Sequence, residues 1–213
     1  MKAGVLGSGD VAKALAAGFV EYGHEVVIGT RDASKLENWV AAHASARVGS
    51  FAEAASHGEV VVLAVKGTVA AKVLGAVGSE ALAGKPVIDA TNPIADGPAT
   101  NGVISFFTGP NDSLMEQLQR EFPDARLVKA FNSVGNQHMV DPRFEGGPPT
   151  MFICGNNGDA KRTVSQILDQ FGWDVADMGA AEAARAIEPL CMLWVVAGVV
   201  SHGWDHAFKL VRN

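Results

Sequence analysis

The chain has 213 residues, a formal charge of -6, 48% apolar and 19% charged residues, which suits one well-packed domain or one domain with a small appendage. No long basic run marks a nucleic-acid surface, and the two cysteines, Cys154 and Cys191, lie far apart without metal-ligand spacing, as expected of reduced thiols in a cytoplasmic protein. The apolar run at Met1 to Gly7 is too short for a signal-peptide core, and Pro189 to Val200 falls short of the roughly 20 residues that span a bilayer, so no membrane partner is expected.

Ala3 to Leu6 reads as a strand. Asp10 to Glu21 has helical periodicity, with Val11, Leu15, Phe19 and Val20 on one side. Glu25 to Ile28 is a second strand, and Ser34 to His43 a helix with Ser34 as its N-cap. Arg47-Val48 is a short strand, Phe51 to Ser56 a short helix, and Val60 to Val65 a run expected of a strand buried on both faces. Val69 to Val77 is helical, and the strand Val87 to Ala90 is stopped by the breaker Asn92-Pro93. Ala95 to Pro110 is weakly patterned, and loops of that length usually carry function.

A helix (Asp112 to Glu121) and a strand (Ala125 to Ala130) follow. Thr150 to Cys154, Ala160 to Gln170 and Trp173 to Ala176 give strand, helix and strand, and the chain reads as helical from Ala180 to about Val211. Alternation of this kind predicts an α/β, Rossmann-like, doubly wound and mostly parallel sheet with a smaller C-terminal helical part. Residues 1–178 are expected to form the main domain, including the strand-helix-strand unit at 150–178. Residues 179–213 are expected to pack on it or at a dimer interface.

The first strand runs into Gly7-Ser8-Gly9-Asp10-Val11-Ala12, a G-x-G-x-x-A turn ahead of a helix. The first glycine allows the tight turn, the second lets a pyrophosphate approach the main chain, and the small third residue lets helix and strand pack closely. Amides at the helix start and the helix dipole then favour the phosphates. Asp10 is expected to be an N-cap turned away from the ligand. The second strand ends in Ile28-Gly29-Thr30-Arg31-Asp32, where an NAD site would place Asp or Glu for the ribose 2'-hydroxyl. Thr30 and Arg31, with Lys35 one turn on, suit a 2'-phosphate and so NADP(H). The alternative is that Arg31 pairs with Asp32 at the surface.

These motifs are followed in order by Asp89-Ala90-Thr91-Asn92-Pro93, Lys129-Ala130-Phe131-Asn132, Cys154-Gly155-Asn156-Asn157 and Ala184-Arg185-Ala186-Ile187-Glu188-Pro189-Leu190. Over nearly its whole length the chain resembles the coenzyme F420-dependent NADP oxidoreductase family, its bacterial branch above all. The resemblance implies a Rossmann-like domain with a smaller C-terminal part, NADP(H) as cofactor, hydride transfer to or from the deazaflavin F420 as co-substrate, and a homodimer. It implies that Ser8, Gly9, Asp10, Val11, Thr30, Arg31 and Lys35 line the adenosine and pyrophosphate side. Val65, Lys66, Asn92, Pro93, Asn132 and Gly135 would lie near the nicotinamide. The chain departs from the family pattern at Lys66-Gly67, where Pro and an aromatic residue are common, and at Thr91-Asn92-Pro93, where the F420 enzymes carry an apolar, proline-bearing segment. Both departures fall where the acceptor would bind.

No Ser-His-Asp set, metal cluster or Tyr-x-x-x-Lys pair is present; the single tyrosine, Tyr22, lies inside the first helix. That fits hydride transfer, in which the protein positions two rings and the cofactor carries the chemistry. No catalytic residue is assigned. Lys66 and His138 are the candidate proton donors, each with a plainer reading as a solvated loop residue and a surface or capping residue. Asn132 either bonds the nicotinamide half or serves a turn. His202 and His206 stand four apart, a metal spacing without a third ligand, and read as a structural pair. Met192 to Val196 is an apolar stripe for the core or a dimer seam, and Glu188 is expected to pair locally with Arg185. Three functions remain open: an NADPH-dependent oxidoreductase acting on F420 or a flavin-like acceptor, a non-catalytic NADP(H) sensor or scaffold, and an imine or 2-oxo acid reductase.

Overall fold

A computed structural model describes residues 1–212. Six short strands pair in parallel: β1 (Lys2–Leu6), β2 (Glu25–Gly29), β3 (Ala46–Gly49), β4 (Val60–Leu63), β5 (Pro86–Asp89) and β6 (Arg126–Lys129). Their order is β3-β2-β1-β4-β5-β6, with Val5 of β1 opposite both Ile28 and Val62. Alternate residues of these strands feed two cores. Val5, Val26, Ile28 and Val62 pack on one face with Leu15 and Phe19 of α1 (Asp10–Glu21) and Val164 and Ile167 of α7 (Gly158–Gln170). Leu6, Val27, Val61 and Leu63 pack on the other. There they meet Ala54 of α3 (Phe51–His57), Leu74 of α4 (Ala70–Val77), Leu118 of α6 (Leu114–Glu121) and Ile187 of α8 (Ala184–Ser201). Burial on both faces is why the strands are apolar runs rather than alternating ones. The fold is the Rossmann-like, doubly wound α/β architecture, with a C-terminal helical part.

The strand order reverses at β1 and β4, which opens a crevice beyond their C-terminal ends. β7 (Thr150–Ile153) and β8 (Asp174–Asp177) form a separate parallel pair, tied to β6 by a single antiparallel bridge between Lys129 and Cys154. The long segment after β5 is folded by antiparallel bridges at Ile94–Phe106, Thr100–Val103 and Gly109–Asp112.

Local chemistry moves several expected boundaries. Ser34 is not a helix cap. Asp32 accepts from Ser34 N and caps a 3-10 turn over Ala33–Leu36, leaving only a short helix, α2 (Glu37–Ala41). A helical turn, α5 (Ser79–Leu82), precedes β5. α6 begins two residues later than Asp112, because Ser113 and Glu116 form a reciprocal capping box. The last helix does not reach Val211. It ends at Ser201, where His202 takes a left-handed φ of 54°, and the chain turns back. The returning tail is held beside β7 by Thr150 N donating to Phe208 O at 2.8 Å and Leu210 N donating to Thr150 Oγ1 at 3.0 Å.

The helical stretch Ala181–Ser201 is also longer than the apolar run counted from sequence. With 21 residues and a mean hydropathy of 1.6 it meets the length and composition of a membrane span. It is nonetheless anchored to α6 through Arg185 and to β6 through Glu188, described below.

Candidate functional site

A cavity of about 1130 Å³ opens at the C-terminal ends of β1, β2, β4 and β5. Its phosphate-sized corner is built by the first turn. Gly7 has φ +142°, its N–H donates to Gly29 O at 3.0 Å, and a Cβ there would lie 2.2 Å from Ala64 O, so no other residue fits. Gly9 is different: a Cβ on it would meet nothing within 4 Å, which leaves its surface open to the cavity. Gly9 is also the N-cap of α1, and no side chain caps the helix. The first-turn amides are thus available to an anion. Asp10, expected as the N-cap, is instead the first helical residue; it is exposed and lines the cavity with Ser8 and Val11.

Thr30, Arg31 and Lys35 line the same corner. Among the described residues Arg31 makes no ion pair, so the expected alternative of an Arg31–Asp32 pair is not formed. The Asp32 carboxylate is turned inward to Ser34, accepting from its Oγ at 2.6 Å and its N at 3.2 Å, and lies 3.9 Å from Lys35. The Ser34 hydroxyl bond holds Asp32 below the usual carboxylate range. Its oxygen Oδ1 is therefore already committed, and Asp32 shares the rim with the two cations Arg31 and Lys35.

Farther along, Val65, Lys66 and Asn92 line the cavity, whereas Pro93, Asn132 and Gly135 do not. Lys66 is exposed at the head of a 3-10 turn over Gly67–Val69. Gly67 has a steric reason: its Cβ would lie 2.1 Å from Asn92 O. The loops after β4 and β5 touch backbone to backbone there, so Gly67 is a packing requirement, whereas the exposed Lys66 is not. Asn132 is buried behind Asn92: Asn92 Nδ2 donates to Asn132 O at 2.8 Å, and Asn132 Nδ2 donates to Asn92 Oδ1 at 3.3 Å and to Ile187 O at 2.9 Å.

Sequence reasoning missed an apolar wall made by Phe51, Val69, Val73 and Ala76, with Lys72 beside it, and the rim residues Ile94 and Asp96. The spacing 69, 72, 73, 76 is one helical face, a signal that was present in the sequence.

Other candidates lie elsewhere. His138 does not line the cavity; its Nε2 lies 3.0 Å from Asp205 Oδ1. His202 ends α8 and His206 lies beyond it, its Nε2 bonded to Trp194 O at 2.9 Å, so the pair shares no helix face. No group of three or more metal-ligating side chains occurs among the described residues. The local Arg185–Glu188 pair is also absent. Arg185 instead makes a two-pronged contact with Glu116, holding that carboxyl down to about 2, while Glu188 is buried against Lys129. Both cysteines are free and buried, and burial pushes Cys154 up to about 12 and Cys191 to about 11.

Residues 2–93 match the family model for NADP oxidoreductase, coenzyme F420-dependent. The chain is 32% identical over 209 residues to the F420-dependent NADP reductase of Methanothermobacter marburgensis, covering 92% of this chain and 91% of that protein. It is 32% identical over 220 residues to the rat metalloreductase STEAP3, covering 100% of this chain but only 42% of that longer protein. A crystal structure from Arthrobacter sp. FB24, given the provisional name F420-dependent NADP-reductase, superposes with a TM-score of 0.92 at 35% identity, over 99% of each chain.

Proposed function

Because the chain belongs to the coenzyme F420-dependent NADP oxidoreductase family, we propose that it binds NADP(H) in the cavity over β1 and β4 and passes hydride between NADPH and a deazaflavin (F420) or flavin-like acceptor. The observation that carries this reading is the uncapped start of α1 over the open face of Gly9, with Thr30, Arg31 and Lys35 on the same rim. Open amides suit a diphosphate, and a guanidinium beside an ammonium suits the extra phosphate of NADP.

Bound NADPH supplies the hydride. The residues of this chain orient and enclose. Gly7 to Val11 hold the diphosphate; Thr30, Arg31 and Lys35 read the 2'-phosphate; Phe51, Val69, Val73 and Ala76 offer the apolar wall that a flat ring system needs. Val65, Lys66 and Asn92 stand at the nicotinamide end, with Asn132 bonded to Asn92 from behind. Hydride transfer to a deazaflavin does not require a protein acid; the ionisable groups on the cavity wall are Asp10, Arg31, Asp32, Lys35, Lys66, Lys72 and Asp96. We also place α8 at the seam of a homodimer, since Leu193, Val199 and Val200 are exposed along it.

The test is turnover of purified protein with NADPH against F420, FMN, riboflavin, quinones, a cyclic imine and a 2-oxo acid. NADPH oxidation with F420 or a flavin is expected. Tight NADPH binding with no turnover on any acceptor would favour the sensor or scaffold, and turnover on the imine or 2-oxo acid alone would replace the acceptor class.

A further inference from the structure

We propose that Lys129 is a positioning residue, whose buried ammonium fixes the backbone of Thr91 and Asn92 and thereby the floor of the nicotinamide end. The proposal rests on the cofactor reading above. Lys129, Asp89 and Glu188 are all buried, with side-chain exposures of 0%, 0% and 2%. Three oxygens surround the Lys129 Nζ: Asp89 Oδ2 at 2.7 Å, Glu188 Oε1 at 3.0 Å and the Thr91 carbonyl at 2.9 Å. The Asp89 contact is a close ion pair approached off-axis, so Asp89 Oδ2 has no aligned hydrogen bond. Asp89 Oδ1 accepts from both Thr91 N at 2.9 Å and Thr91 Oγ1 at 2.6 Å. Thr91 is therefore gripped at its amide, its hydroxyl and its carbonyl, and the next residue is the cavity-lining Asn92.

The cluster also reaches outward. Glu188 sits in α8, and its two oxygens accept from Leu114 N and Met115 N at 3.0 Å each, at the start of α6. Asn132 extends the same tie, donating to Ile187 O of α8 and to Asn92. The residue before it, Phe131, is fully buried yet holds a left-handed φ of 62°, a strained state that surrounding structure must enforce. Asn92 O meets Gly67 across the mouth. The cluster thus links β5, β6, α6 and α8 to the two loops that frame the acceptor end.

Stability does not explain such a cluster. Desolvating three charges is costly, and well-packed apolar residues of the same volume commonly match or exceed the stability of a buried ion set. What apolar packing would not supply is direction, because only a charged or hydrogen-bonding group can select one orientation of the Thr91 carbonyl and hydroxyl.

The experiment compares two ligands by calorimetry: NADPH, which spans the whole cavity, and adenosine 2',5'-bisphosphate, which reports only the adenosine end. Binding-induced NADPH fluorescence gives a second readout of the nicotinamide environment. Lys129→Met alone leaves two buried carboxylates and is at risk of unfolding. The triple variant Asp89→Asn, Lys129→Met, Glu188→Gln keeps the approximate shape and leaves no buried charge unpaired, although the new amide at position 188 can accept from only one of the Leu114 and Met115 N–H groups. Thr91→Val keeps every charge and removes only the hydroxyl bond to Asp89, leaving the amide bond in place. In the triple variant NADPH affinity should fall about tenfold with an altered fluorescence, and in Thr91→Val about threefold. The bisphosphate affinity should stay within about twofold in both. Equal losses for both ligands, or no loss of NADPH affinity and an unchanged fluorescence in whichever variant folds, overturn the positioning role. If the unaltered protein binds neither ligand, the cofactor reading fails first and this inference falls with it.

Discussion

The two ends of the cavity are built differently. The phosphate end is local: Gly7 to Val11 and Thr30 to Lys35 come from two consecutive strand-to-helix turns, and their geometry follows from glycine sterics and an uncapped helix start. The acceptor end is assembled from β4, β5, β6, α6 and α8, and is held by buried charges whose partners are remote in sequence. A site of the first kind can be built by a short motif, whereas one of the second kind is free to change its acceptor while the cofactor grip is kept.

Substitution at the two turn glycines breaks the comparison most severely. Gly7→Val should destabilise the fold by roughly 3–5 kcal/mol, since the side chain would overlap Ala64 O at a φ that valine does not adopt. Gly9→Ala should leave the urea midpoint almost unchanged while NADPH affinity falls about tenfold, because the new methyl enters only ligand space. If both variants lose stability equally, Gly9 is structural and the phosphate corner is misread.

Arg31→Glu comes next. NADPH affinity should fall about 100-fold, or roughly 2.7 kcal/mol, while NADH affinity changes by less than about threefold. Equal losses would mean that Arg31 does not read the 2'-phosphate.

The acceptor end has an acid-sensitive tie in Arg185–Glu116. Glu116 is held down to about 2 from 4.5, first by the Arg185 guanidinium and then by Ser113. Its folded value is depressed, so its contribution is complete above about pH 4.5 and is lost as the pH falls from there toward 2. Arg185→Met should therefore lower stability at neutral pH, with the deficit closing across that acid window. Urea unfolding at a series of pH values measures it, and a deficit independent of pH would contradict it. The smallest effect concerns the thiols. Cys154 and Cys191 should resist alkylation at pH 8 in the folded protein and react in denaturant; prompt native labelling would show that the α6–α8 region opens readily.

How much of this was legible in the sequence follows the same division. β1, α1, β2, the Gly7 turn and the Thr30-Arg31 pair were readable because periodicity and glycine spacing are local signals. The face at 69, 72, 73 and 76 carries the same kind of local signal, an i, i+3, i+4 spacing. The Asp89–Lys129–Glu188 cluster was not: Lys129 sits in an apolar strand whose pattern gives no sign of its partners, and Arg185 has a plausible acid three residues away while its real one, Glu116, lies on another helix. The end of α8 was misjudged because apolar residues continue past Ser201. His202 turns left-handed there, and the tail finds its partners at β7 instead.

Titration calorimetry of NADPH into the purified protein, paired with a thermal melt, is the most direct measurement of the central claim. Saturable heat is predicted, with a melting temperature that rises with ligand; occupancy at 100 times Kd adds about 2.7 kcal/mol of stability. No heat and no thermal shift at millimolar NADPH would contradict it.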